Sequence, residues 1–169
     1  MSSVPALTTK LRSRLPGGPV HFYRAVATGF SSLRSPFLLA VRLYWGWQFM
    51  QTGWGKLHQL AKITAFFTSL GIPFPAFNAH FVSGLEFAGG LLLIVGLASR
   101  LTAFLLAGNM LVAYWTADRA ALFSVFSDPG KFYNADPYTF LFASLIILIF
   151  GTGFLSLDTA IGRRLGVAP

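Results

Sequence analysis

Cysteine is absent from this 169-residue chain. That excludes disulfides, thiol redox chemistry, and iron–sulfur clusters or metals held by cysteine. Acid is nearly as scarce: five carboxylates stand against thirteen lysines and arginines, and none precedes Glu86. Charged residues of both signs make up only 11%, well below the roughly 25% of a soluble domain. Three histidines are present. His58 and His80 flank one connecting segment with no carboxylate within a helical turn of either, so no metal site is expected.

Apolar residues fill the space that charge leaves. They make up 54% of the chain, with eighteen phenylalanines and four tryptophans and a mean hydropathy of +0.63. One all-α integral membrane domain is the simplest reading. A net charge of +8 also fits a nucleic-acid binder. Here the basic residues lie mainly at the chain ends, beside apolar segments, where membrane orientation accounts for them. No nucleic-acid partner is expected.

The stretch 81–100 organises the rest. It is almost wholly apolar and holds one carboxylate, Glu86, well inside. About 20 apolar residues span the hydrocarbon, and an insertion cost of about 2.5–3.5 kcal/mol makes an intramembrane charge partnered and often functional. Gly89, Gly90 and Gly96 follow it. Small residues on Glu86's face let another helix come close, so this is a buried helix with a polar site facing inward.

Residues 1–35 are basic, with Lys10, Arg12, Arg14, Arg24 and Arg34, and contain the turn Pro16–Pro19. They read as a cytoplasmic tail whose part 20–30 is weakly amphipathic and suits a membrane surface. No cleaved signal is expected, for want of an uninterrupted apolar core. A four-helix domain follows over 36–158, with spans expected near 36–55, 78–97, 101–117 and 138–155. A cytoplasmic tail, 159–169, completes the chain. Between the first two spans, Leu57, Leu60, Ile63, Phe66 and Phe67 recur at helical spacing before Gly71–Pro75, which predicts a short interfacial or re-entrant helix. The loop 118–137 holds Phe123, Phe126, Phe132 and Tyr133, so it is expected to fold back onto the bundle.

With four spans, both termini and the turn at Arg100 share one side. That side holds eight basic residues, the other four, and Arg42 lies within the first span. The positive-inside rule makes both termini cytoplasmic and places the protein, multi-pass, in a bacterial cytoplasmic (inner) membrane. Arg42, Gly46, Phe49, Gly53 and Lys56 form one helical stripe. At 1.5 Å per residue, Arg42 lies roughly 8 Å and Glu86 roughly 16 Å from the cytoplasmic edge. Arg42 either snorkels to lipid phosphates or turns inward to Glu86, in a polar set with Gln48 and Asn109. Arg100 and Asp158 both reach the cytoplasmic edge and are expected to pair there. The set either locks the helices together or serves function.

Four blocks together resemble the DoxX/DoxD family of small bacterial four-helix membrane proteins. The first is Arg42…Gly46…Phe49…Gly53-x-x-Lys56-Leu57. Gly71-Ile72-Pro73 follows. The third is Glu86-x-x-Gly89-Gly90-x-Leu92-Leu93…Gly96…Arg100, and the last is Gly151-x-Gly153-x-x-Ser156-Leu157-Asp158. The family's name comes from a membrane subunit associated with thiosulfate:quinone oxidoreduction and a terminal oxidase. The resemblance therefore implies a membrane subunit of a redox or respiratory-type complex that contributes to a quinone site. Such a subunit has no intrinsic cofactor and is not a complete oxidoreductase by itself. A quinone needs an apolar slot with a few hydrogen-bonding groups, which Glu86, Gln48 and Trp45 supply. The alternative is a non-catalytic accessory or assembly subunit that docks onto a larger membrane complex. Expected partners are membrane lipids and either that complex or a second copy of the chain.

Overall fold

The computed structural model describes residues 17–166, and every regular element among them is a helix. The backbone divides at Arg34 into two units. The first contains α1 (Gly17–Ser32). Phe22, Tyr23, Val26 and Phe30 are all exposed on it. At its C-terminal end the Ser31 and Ser32 hydroxyls donate to the Ala27 and Gly29 carbonyls, at 2.8 and 2.6 Å.

The second unit follows α2 (Arg34–Leu57), α3 (Leu60–Ser69), α4 (Pro75–Val95) and α5 (Ser99–Thr116). Then come α6 (Arg119–Phe123), α7 (Pro129–Tyr133), α8 (Pro137–Phe150) and α9 (Leu157–Arg164). Glycine decides how α2 meets α4. A Cβ on Gly46 would lie 2.9 Å from the Gly90 carbonyl oxygen. One on Gly53 would strike the Phe87 amide and lie 2.7 Å from the Ser83 carbonyl, and one on Gly90 would strike the Met50 backbone. Climbing α2 from Gly46 to Gly53 thus descends α4 from Gly90 to Ser83, so the helices run antiparallel in backbone contact. Gly89 faces the other way, against the Leu106 side chain of α5.

α2, α4, α5 and α8 contribute to one apolar core that includes Phe49, Leu93, Leu106, Met110, Tyr114 and Ile147. The Phe49 and Phe140 rings join α2 to α8 edge-on at 4.7 Å. Among the described residues one helix, α4, is long and apolar enough to cross a membrane. α2 carries Arg34, Arg42 and Lys56, and α5 carries Arg100 and Asn109.

Two expectations are corrected. The last helix is expected to reach residue 155, but α8 ends at Phe150. There Gly151 takes φ 76, and Gly153 follows at φ 70, which glycine alone adopts without strain. Its fourteen residues rise about 21 Å, short of the roughly 30 Å hydrocarbon. The aromatic loop docks only in part. Phe132 stacks on Tyr114 at 5.2 Å, and the Tyr114 hydroxyl donates to the Phe132 carbonyl at 2.7 Å. Phe126, by contrast, is 97% exposed. The predicted connector helix corresponds to α3, which buries no residue.

Candidate functional site

Glu86 lies mid-helix in α4, buried to 1% of its surface. Its partner is Lys56, at the end of α2. Nζ donates to both carboxylate oxygens at 2.7 Å, with the lysine side chain 28% exposed. From α5, Asn109 Nδ2 donates to Oε1 at 3.0 Å. Three helices therefore converge on one carboxylate. Its charge is balanced by a cation and its lone pairs are engaged, the condition for burying an ion.

Arg42 is equally buried, at 1% exposure, but it does not meet Glu86. Nε donates to the Leu93 carbonyl at 3.0 Å and Nη2 to that of Ile94 at 3.2 Å. Nη1 donates to the Thr152 and Leu155 carbonyls, both at 2.9 Å. Leu93 and Ile94 stand in the last turn of α4, where carbonyls lack helical partners and the macrodipole favours a cation. Thr152 and Leu155 lie where α8 has broken. One guanidinium thus satisfies the ends of two helices. The expected Arg42–Glu86 proximity fails on register. The glycine contacts set Arg42 beside Gly96, whose φ of 76 and lack of a side chain leave room for the guanidinium. Gly96 lies ten residues beyond Glu86, about 15 Å along the helix.

The expected Arg100–Asp158 pair is also corrected. Asp158 Oδ1 accepts from the Ala98 amide at 2.7 Å and Oδ2 from that of Ser99 at 2.9 Å. The Asp158 amide in turn donates to the Gly96 carbonyl at 2.9 Å. Ala98 holds φ 47, a left-handed conformation that costs an L-residue roughly 1–2 kcal/mol. Asp158 clamps that turn and caps α5, since carboxylates suit a helix start. Arg100 instead lies against Gly151, where a Cβ would stand 3.4 Å from Nη2. Gln48 is half-buried, its Nε2 donating to the Tyr44 hydroxyl at 3.3 Å, and takes no part in the buried set.

Lys56 is the site residue that sequence reasoning missed. It sits on the same stripe as Arg42, Gly46, Phe49 and Gly53, but the positive-inside count places it among the four basic residues of the non-cytoplasmic side. The available signal was the glycine pairing. Matching Met50 to Gly90 and Gly53 to Phe87 puts Lys56 level with Gly84, two residues or about 3 Å from Glu86 along α4, within reach of a long side chain.

Two further features are separate from these contacts. An open groove of about 370 Å³ follows the α2–α4 seam, lined by Trp47, Met50, Gln51, Trp54 and Phe87. At the other end of α5, partial burial and then the nearby Asp136 carboxylate hold the Asp118 carboxyl above its ordinary range. Among the described residues no three His, Asp or Glu side chains gather as a metal site would require.

A family model described as DoxX matches residues 37–119, a stretch that contains Arg42, Lys56, Glu86 and Asn109 but not Asp158. The chain is also 31% identical over 121 residues to the Bacillus subtilis (strain 168) protein named "Putative oxidoreductase CatD", an alignment covering 71% of this chain and 83% of that protein. No solved structure matches the chain. By this match and by the shared stretch that carries the buried Lys56–Glu86 pair, the chain belongs to the DoxX family.

Proposed function

We propose that the protein is a multi-pass subunit of a redox complex in a bacterial inner membrane, with Lys56, Glu86 and Asn109 as its ligand site. DoxX proteins are generally membrane proteins, and the CatD relative is named for redox chemistry. In this reading α2, α4, α5 and α8 form a four-helix membrane bundle with both termini cytoplasmic. The excess of basic residues on the side of the termini supports that orientation. The short α8 is accommodated because Arg42 bonds the Thr152 and Leu155 carbonyls of its unwound continuation, the internal satisfaction that non-helical backbone requires at membrane depth.

The observation that carries the site is the buried carboxylate with a partly exposed lysine at its edge. A structural lock needs no open side, whereas a ligand site does. The chemistry fits a quinone. Lys56 is a donor for a carbonyl oxygen, Glu86 can hold a proton, and the Trp47–Trp54–Phe87 groove on the same α2–α4 seam is apolar and of ligand size. A bound quinone would supply two-electron redox chemistry, with the electrons exchanged with a partner subunit. Asn109 keeps Glu86 oriented while Lys56 exchanges between the carboxylate and the ligand.

Native mass spectrometry after gentle extraction tests this. A quinone-sized adduct is expected on the wild type and absent from Lys56→Met, with quinol turnover lowered in membranes carrying Glu86→Gln. Wild-type protein without an adduct, together with unchanged turnover in Glu86→Gln, overturns the quinone site. A second reading rests on Arg42, whose partners are all backbone carbonyls. It shows that a buried charge in this fold can be purely structural. If Lys56–Glu86 is likewise structural, the protein is an accessory or assembly subunit, and a stoichiometric partner co-purifies whatever stands at Glu86.

A further inference from the structure

We infer that α1 is a docking helix for an anionic lipid surface. At about 100° per residue, Phe22, Val26 and Phe30 recur at steps of four and Tyr23 lies about 20° beyond Phe30, so the four fall within about 100° of one another. These four form one apolar stripe, with Phe22 and Tyr23 each 73% and Phe30 70% exposed. Arg24, Ser31 and Ser32 lie on the other side, roughly 80° or more from each of these four, also exposed. An apolar stripe of this size left uncovered marks an interaction surface.

Charge identifies the occupant. Lys10, Arg12 and Arg14 precede the helix, Arg24 lies on it, and no acidic residue occurs before Glu86. A short amphipathic helix with aromatics on one face and arginine on the other lies in the plane of a membrane interface. A basic segment beside it is attracted to anionic headgroups. A protein groove would be selected by shape. An acid-free basic segment is instead complementary to a surface of uniform negative charge. The aromatic rings enter the headgroup–acyl boundary, and Arg24 stays among the phosphates.

The inference rests on the membrane placement proposed above and adds to it, since the bundle could cross a bilayer with α1 in water. The natural absence of cysteine makes the test direct. Single cysteines at Phe22, Val26, Phe30, Ser31 and Ser32, each in the full chain, carry a nitroxide label. The protein is reconstituted in vesicles with or without phosphatidylglycerol in phosphatidylcholine. Accessibility to oxygen and to a water-soluble nickel chelate is then read at each position. A label at Leu111, exposed on α5, checks separately that the bundle lies in lipid.

In phosphatidylglycerol vesicles, positions 22, 26 and 30 are expected to favour oxygen over nickel several-fold. Positions 31 and 32 are expected to show the reverse, and the contrast should shrink in pure phosphatidylcholine or high salt. High nickel accessibility at all five, with Leu111 in lipid, overturns the inference alone. Protection from both reagents at 22, 26 and 30 overturns it in favour of a protein covering, from this chain or a second copy. A contrast indifferent to phosphatidylglycerol removes the anionic component and overturns it as stated. Leu111 accessible to nickel refutes the membrane placement itself.

Discussion

Removing either partner of the Lys56–Glu86 pair breaks the same contact, yet the two losses should differ. At 2.7 Å, with an effective dielectric near 20, the pair's gross attraction is about 6 kcal/mol. Desolvation, several kcal/mol per ion, offsets much of that, so the intact pair adds little net stability. Truncation is a different matter, because what remains must stay buried without its partner. Lys56→Met leaves Glu86 at 1% exposure with only the Asn109 amide, and breaking a buried pair costs about 3–5 kcal/mol. The surviving Asn109 bond and uptake of a proton place the loss at the lower end, about 3 kcal/mol. Glu86→Gln leaves Lys56, whose side chain is already 28% exposed and can reach water. Its cost should be about 1 kcal/mol, that of an ordinary hydrogen-bond change. The double variant should fall within about 1 kcal/mol of Glu86→Gln, since no buried charge remains. Equilibrium unfolding in mixed micelles, titrated with SDS and followed by helical circular dichroism, measures all three. A loss in Glu86→Gln equal to or larger than that in Lys56→Met would refute the reasoning from asymmetric burial.

Three further predictions concern packing, the interhelical turn and pH. Gly53→Ala forces a Cβ into the Phe87 backbone and should cost about 1–3 kcal/mol or more. Gly108→Ala meets nothing within 4 Å and should gain about 0.5–1 kcal/mol from helix propensity, both read by the same SDS titration. Asp158→Ala removes the acceptor for two amides and should lose about 2–3 kcal/mol, at 1–1.5 per bond, while Arg100→Ala, which breaks no ion pair, should shift stability by under about 1 kcal/mol. Asp118 has a raised native pKa, from burial first and then Asp136, so the folded state holds its proton more tightly than the unfolded one. Its penalty is absent below the ordinary carboxylate range and is fully present once pH rises through the native pKa. Thermal unfolding across that window should show Asp118→Asn as the more stable form at neutral pH, and the two should converge in acid. Equal curves for the two at every pH would count against the assigned direction.

Sequence and tertiary structure divide the determinants of this fold along a physical line. Composition and periodicity are local properties, and they suffice to show an all-helical chain, the apolar stretch around Glu86 and the glycines that mark close approach. They also show that a carboxylate set in apolar surroundings requires a partner, because burial of an unpaired charge is costly wherever it occurs. The choice of partner is not local. Arg42 and Lys56 share a helical stripe, and either is long enough to reach inward. Only the contacts of Gly46 with Gly90 and of Gly53 with Ser83 set the register that sends Lys56 to Glu86 and Arg42 to the end of α4. The break in α8 belongs to the same class. Gly151 and Gly153 permit the backbone to leave the helix, but the freed carbonyls of Thr152 and Leu155 are tolerable because a guanidinium from α2 meets them. Asp158 likewise found backbone amides rather than Arg100, since two N–H groups in a left-handed turn offered a fixed bidentate site to its carboxylate. Residue types alone determined that buried charges would be satisfied, and the packing of one glycine face on another decided by whom.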